Sequence, residues 1–138
     1  MAWNKSTTVA VDYLGTPGTP VAIPVAYAAG AIIDTEGLHK YIAFLSKITT
    51  AGSATDFRLK IEVSADGSNF QDLKTEAVTA GVGVLDSYIL SVVVAANAGH
   101  TVGIKCNGWR YFRVSWLVDN VTGTPLGYVQ YALSGGPI

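Results

Sequence analysis

The sequence is short of charge. Asp, Glu, Lys and Arg make up 14% of it and leave a net charge of −1, where globular chains usually carry about a quarter charged residues. Thr, Ser, Ala and Gly stand where ionic side chains would normally keep a surface apart from its neighbours. The expectation is an exterior partly covered by other protein chains. The nine basic residues are scattered, with no run among them. Phosphate binding needs clustered Lys and Arg, so no nucleic-acid partner is expected. A single cysteine, Cys106, excludes an intrachain disulfide, and its place in an apolar strand-like run predicts a buried thiol. No apolar run reaches the eighteen or so residues of a membrane helix; the longest, 88–98, is broken by Ser91 and Asn97. Residues 1–8 carry no basic stretch followed by an apolar one, so no secretory signal is expected.

Chemistry-bearing patterns are equally scarce. No Gly-x-Ser-x-Gly elbow occurs. The two histidines, His39 and His100, lie far apart and outside any metal-ligand spacing. The stretch from Asp66 through Gly67 and Ser68 to Asn69 lacks the spacing of a calcium loop. It predicts a hairpin turn, with Asp66 bonding local backbone and Gly67 supplying a positive φ. The chain is expected to have no enzymatic activity, no catalytic residue, no metal and no cofactor.

What is present is alternation. In 56–64, Phe57, Leu59, Ile61 and Val63 face one way and Arg58, Lys60, Glu62 and Ser64 the other, the period of a strand with one wet face. In 110–119, Phe112, Val114, Trp116 and Val118 oppose Arg113, Ser115 and Asp119, which makes Trp116 a core residue. Residues 41–49 are apolar on both faces, as in a central strand. Further strands are expected over 7–13, 21–25, 76–79, 87–94, 101–106 and 127–133. Gly- and Pro-rich turns separate them, a loop is expected at 95–100, and 34–40 has room for one helical turn at most. The predicted fold is all-β: an antiparallel β-sandwich or jelly roll of about eight strands in one domain. The domain spans 9–133, with an N-terminal arm over 1–8 and a short C-terminal tail over 134–138.

Aromatic side chains on termini and loops anchor interfaces or stack on sugars. Trp3 and Asn4 in the arm, with Thr16, Pro17, Thr19 and Pro20 in the first loop, are the candidate interface residues. Trp109 is expected to pack at the sandwich edge.

Two stretches carry a family resemblance. One runs from Ile61 through Ser64, Asp66, Gly67 and Asn69 to Phe70 and Leu73. The other runs from Gly108 and Trp109 through Arg110, Tyr111, Arg113 and Val114 to Trp116, followed by Thr122, Gly123 and Thr124. Together they resemble the small β-sandwich virion proteins of tailed bacteriophages, most closely the capsid cement (decoration) proteins. The resemblance implies a structural protein made in the host cytoplasm and located on the capsid surface. It would bind the major capsid protein or other virion proteins and self-associate, often as trimers. The alternatives that stay open are a carbohydrate- or receptor-binding sandwich of a tail fibre or secreted protein, and a tail or neck component.

Overall fold

The structure, a computed structural model, describes residues 10–52, 56–79, 82–87, 89–93, 98–119 and 123–135. It is an all-β antiparallel sandwich. The strand segments are β1 (Val11–Leu14), β2 (Val21–Ala22), β3 (Ala28–Ala29), β4 (Ile33–Asp34), β5 (Tyr41–Thr50), β6 (Asp56–Ser64), β7 (Gln71–Asp72), β8 (Lys74–Thr79), β9 (Val82–Ser87), β10 (Ile89–Val93), β11 (Ala98–Lys105), β12 (Tyr111–Asp119) and β13 (Leu126–Ser134). One sheet has the order β1-β13-β5-β11, with β2 also on β13. The other has the order β10-β6-β12-β3, with β4 on β12 and β7 on β6.

The alternation of the long strands builds the core. Ile42, Phe44 and Ile48 of β5, Val102 of β11 and Val129 of β13 meet Phe57, Leu59, Ile61 and Val63 of β6 and Phe112, Val114, Trp116 and Val118 of β12 in one buried cluster. The Trp116 ring meets Phe57 edge-on, with centroids 6.3 Å apart. Cys106 is buried in the same cluster, and burial pushes its thiol pKa up.

The β6–β7 turn is built as its sequence predicts. Asp66 Oδ1 accepts hydrogen bonds from the backbone N–H groups of Ser68 and Asn69, both at 2.8 Å, and Gly67 has φ 80°. β8 and β9 pair with each other as a two-stranded hairpin. It interrupts what would otherwise be one edge strand along β6, because β7 and β10 flank it on that same edge.

Some expectations shift. The strand expected from 101 begins at Ala98, where Ala98, Gly99 and His100 pair with Ile48, Lys47 and Ser46; pairing to β5 outweighs the poor strand propensity of Gly99. The stretch 34–40, with room for one helical turn at most, holds a tight turn closed by the Leu38 N–H on the Thr35 carbonyl (3.1 Å). Asp34 ends β4, and Glu36 and Gly37 take left-handed φ values of 57° and 67°. Of the strand expected over 21–25, only Val21 and Ala22 enter a ladder.

One side chain ties the two sheets together. β1 belongs to the five-stranded sheet, and its register shifts between Asp12 and Leu14. At that shift Tyr13 reaches across to the other sheet, where β3 and β4 leave a gap along β12. Its hydroxyl donates to the Ala31 carbonyl (2.6 Å) and accepts from the Val114 N–H (3.0 Å). A Cβ on Gly30 would lie 2.5 Å from the Tyr13 ring, so only glycine fits there. Burial pushes the Tyr13 hydroxyl pKa up to about 12. Replacing Tyr13 by phenylalanine removes both bonds, leaves the part-buried Val114 N–H without its acceptor, and is expected to cost about 1–3 kcal/mol. Urea unfolding of the variant measures this, and an unchanged midpoint would contradict it.

Candidate functional site

No residue between Asp12 and Asp34 is charged, and most of the second half of that stretch lies on the surface. After β1 the chain turns tightly. Thr16 and Thr19 exchange backbone hydrogen bonds of 3.1 Å, and the Thr19 N–H also reaches Thr16 Oγ1 at 2.9 Å. Pro17 and Thr19 are exposed at this turn, while Thr16 and Pro20 are half-buried. The chain then crosses the open edge of the sandwich from the five-stranded to the six-stranded sheet, through β2, β3 and β4 in turn.

The crossing has no regular period because it is pinned at points. Ile23 is buried near one end and Ile33 at the other. The Ile23 N–H donates to the Pro125 carbonyl (3.0 Å), the Val118 N–H to the Pro24 carbonyl (2.9 Å), and the Gly30 N–H to the Val114 carbonyl (2.8 Å). Between these anchors the side chains face outward. Val25 is 68% exposed and Ile32 50%, with Val21, Tyr27 and the alanines at 22, 26, 28, 29 and 31 also exposed. The result is an apolar strip on a fastened backbone. A contiguous exposed apolar surface marks an interaction site, and a backbone fixed in advance loses little freedom on binding.

Part of the charge that the chain does have is gathered on another face. On the outer face of the six-stranded sheet, Arg58 pairs with Asp56 (2.7 Å) and Asp119 (3.0 Å), Lys60 with Asp72 (3.5 Å) and Arg113 with Glu62 (2.9 Å). Ser115 Oγ donates to the other Glu62 oxygen at 2.8 Å, and the Arg113 guanidinium lies over the Phe70 ring. The Tyr27 ring reaches the Lys60 ammonium, 4.6 Å from its centroid. β12 lies between β6 and β3, so this contact spans the strand whose Ser115 and Leu117 are buried on that outer face. The outer face of the five-stranded sheet is plainer. Ala43, Leu45 and Lys47 alternate there with the buried β5 residues, beside Gly99, Thr101 and Gly103 of β11.

Of the candidate interface residues, Thr16, Pro17, Thr19 and Pro20 form the turn that leads into the strip. Trp3 and Asn4 lie outside the described residues. The exposed residues from Val21 to Ile32 were not singled out by their pattern; the available signal was the unbroken absence of charge across them. Trp109 is half-buried and packs against the core. His100 faces inward with its ring stacked on Phe57, while His39 lies beyond the other end of the β5–β11 ladder. Among the described residues, no group of three or more His, Cys, Asp or Glu could hold a metal ion.

Asp66 is the most strongly perturbed carboxylate. The Asn69 and Ser68 N–H groups, the Asn69 amide and the Ser64 hydroxyl hold its pKa well below the usual range. Asp34 is held low by its two-point pairing with Arg110 (2.8 and 3.0 Å) and by the Glu36 N–H. A carboxyl whose pKa is depressed in the fold contributes its full stability above the unfolded value, about 4, and loses it as pH falls toward the folded value. Stability is therefore expected to fall below about pH 4, and Asp66→Asn to make that decline shallower. Urea midpoints across the acid range test this; parallel curves for parent and variant would contradict it.

No protein-family model matches the chain, and no curated protein is significantly similar to it.

Proposed function

We propose that this chain is a non-enzymatic virion structural protein, a capsid cement or decoration protein that seats its apolar edge strip on the major capsid shell. The observation that carries this reading is the uncharged exposed surface from Val21 to Ile32, fastened at Ile23 and Ile33. Such a strip has no role in the domain's own core and suits a partner surface of matching polarity. The turn from Thr16 to Pro20 extends it at one end. The likeness of 61–73 and 108–124 to capsid cement proteins supplies the identity of the partner.

The energetics fit a protein used in many copies. Covering a half-exposed Val or Ile side chain contributes on the order of 1 kcal/mol, so one strip alone binds weakly. Copies that associate with one another, as trimers in this reading, gain by avidity on a shell that repeats the same site. Two ionic pairs at 2.7 and 3.0 Å fix Arg58 alone, and the paired face it belongs to is suited to point toward water.

The test is co-sedimentation of the purified chain with capsid shells lacking it. The chain is expected to pellet with the shells and to saturate at a fixed ratio. A chain that stays in the supernatant at every concentration would overturn the proposal.

A further inference from the structure

We propose that the cleft between the 34–38 turn and the 106–109 turn is a separate contact site that takes an acidic peptide segment bearing an apolar side chain. The cleft measures about 550 Å3, inside the roughly 300–1,000 Å3 of ordinary ligand sites. Its apolar surface comes from Leu38, Tyr41 and Trp109, and its charge from Lys40 and Lys105; among the described residues no acidic side chain lines it. Leu38 is 49% exposed and Tyr41 44%, so both side chains are open to a ligand in the cleft.

The two lysines set the sign of the ligand. Arg58, Lys60, Arg110 and Arg113 all pair with carboxylates, but neither Lys40 nor Lys105 has an ion-pair partner among the described residues. Two ammonium groups with no ion-pair partner among the described residues, beside an apolar floor, are complementary to a segment in which carboxylates flank a hydrophobic side chain.

The backbone beneath them is fixed. Lys105 stands opposite Tyr41 in the β5–β11 ladder, and the Lys40 carbonyl accepts from the Cys106 N–H at 2.7 Å. Thr35, fully buried, binds the two turns together: its N–H and its hydroxyl both donate to the Arg110 carbonyl, at 2.8 and 2.7 Å, and its own carbonyl accepts from the Leu38 N–H. The site is thus formed before any ligand arrives.

The lining favours a peptide over an anionic sugar. A saccharide needs several amide or carboxylate acceptors for its hydroxyls, and among the described residues Asn107 alone offers one in the lining. Leu38 offers an aliphatic surface that matches an aliphatic or aromatic side chain.

Two labelled pentapeptides, one with Leu-Phe flanked by Glu and Asp and one with Leu-Phe flanked by Lys, test this by fluorescence anisotropy. The acidic peptide is expected to bind about tenfold more tightly than the basic one and to weaken as salt is raised. The Lys40→Glu/Lys105→Glu variant, whose thermal melting should match the parent's, is expected to invert the preference. Equal binding of the two peptides, or a preference unmoved by the double substitution, would overturn the proposal. So would binding of an oligouronate in place of the acidic peptide. The readout is independent of the capsid proposal, because a chain that never pellets with shells can still bind the peptide.

Discussion

Truncating Trp116 to alanine is expected to lower the stability of the fold by about 3–5 kcal/mol, a loss that urea or thermal unfolding would register. The ring is 3% exposed and belongs to the buried cluster shared by both sheets. It packs edge-on against Phe57, lies on β12 opposite Leu59 of β6, and has Ala28 of β3 across from it on the other side. Truncation would leave a cavity beside Phe57 and Leu59, both themselves held in the buried cluster. Domains of this kind are stable by only about 5–15 kcal/mol, so the loss removes a large share of the total. Trp116→Phe keeps most of the apolar volume and is expected to cost less than half as much. A near-neutral Trp116→Ala variant would mean that the β12 register places the ring outside the core.

The second large effect concerns binding. The double substitution Val25→Asp/Ile32→Asp should abolish co-sedimentation with shells while leaving the melting temperature nearly unchanged. Both side chains are exposed in the free chain, at 68% and 50%, and exposed positions usually change stability by about 0.5 kcal/mol or less. In a covered strip, each carboxylate would have to give up its water without a partner, at a cost of about 2–5 kcal/mol. The two together weaken the contact at least about a hundredfold. The matched control is loss of a charge on the outer face of the six-stranded sheet at a side chain that does not sit on the strip, Arg58→Gln, which should leave sedimentation intact. If the control abolished pelleting and the strip variant did not, the contact would have to be assigned to the ionic face.

The long strands were legible because their side chains alternate over most of their length, Leu117 on the outer face of β12 being an exception. Phe57, Leu59, Ile61 and Val63, and Phe112, Val114, Trp116 and Val118, read as core from order alone and are core. The Asp66 turn was equally legible, since a carboxylate beside Gly67 has few other uses. The edge strip was not legible. A crossing segment pinned by Ile23, Pro24, Gly30 and Ile33 has no period, and an apolar residue in such a segment looks the same whether it points in or out. Nor could the pattern reveal Tyr13 as the tie between sheets, because its partners, Ala31 and Val114, are 18 and 101 residues away. The scarcity of charge was visible in the composition. Its distribution was not: the pairing of β6 with β12 brings Glu62 beside Arg113 on one outer face, while the edge keeps none.

Hydroxyl-radical footprinting of the chain, free and bound to shells, is the most direct test of whether the uncharged edge is where it meets its partner. Val25, Tyr27 and Ile32 are expected to label strongly in solution and to be shielded on the particle, while the Arg58 and Lys60 face labels equally in both states. Equal labelling of those three side chains in the two states, with shielding confined to the ionic face, would contradict the account.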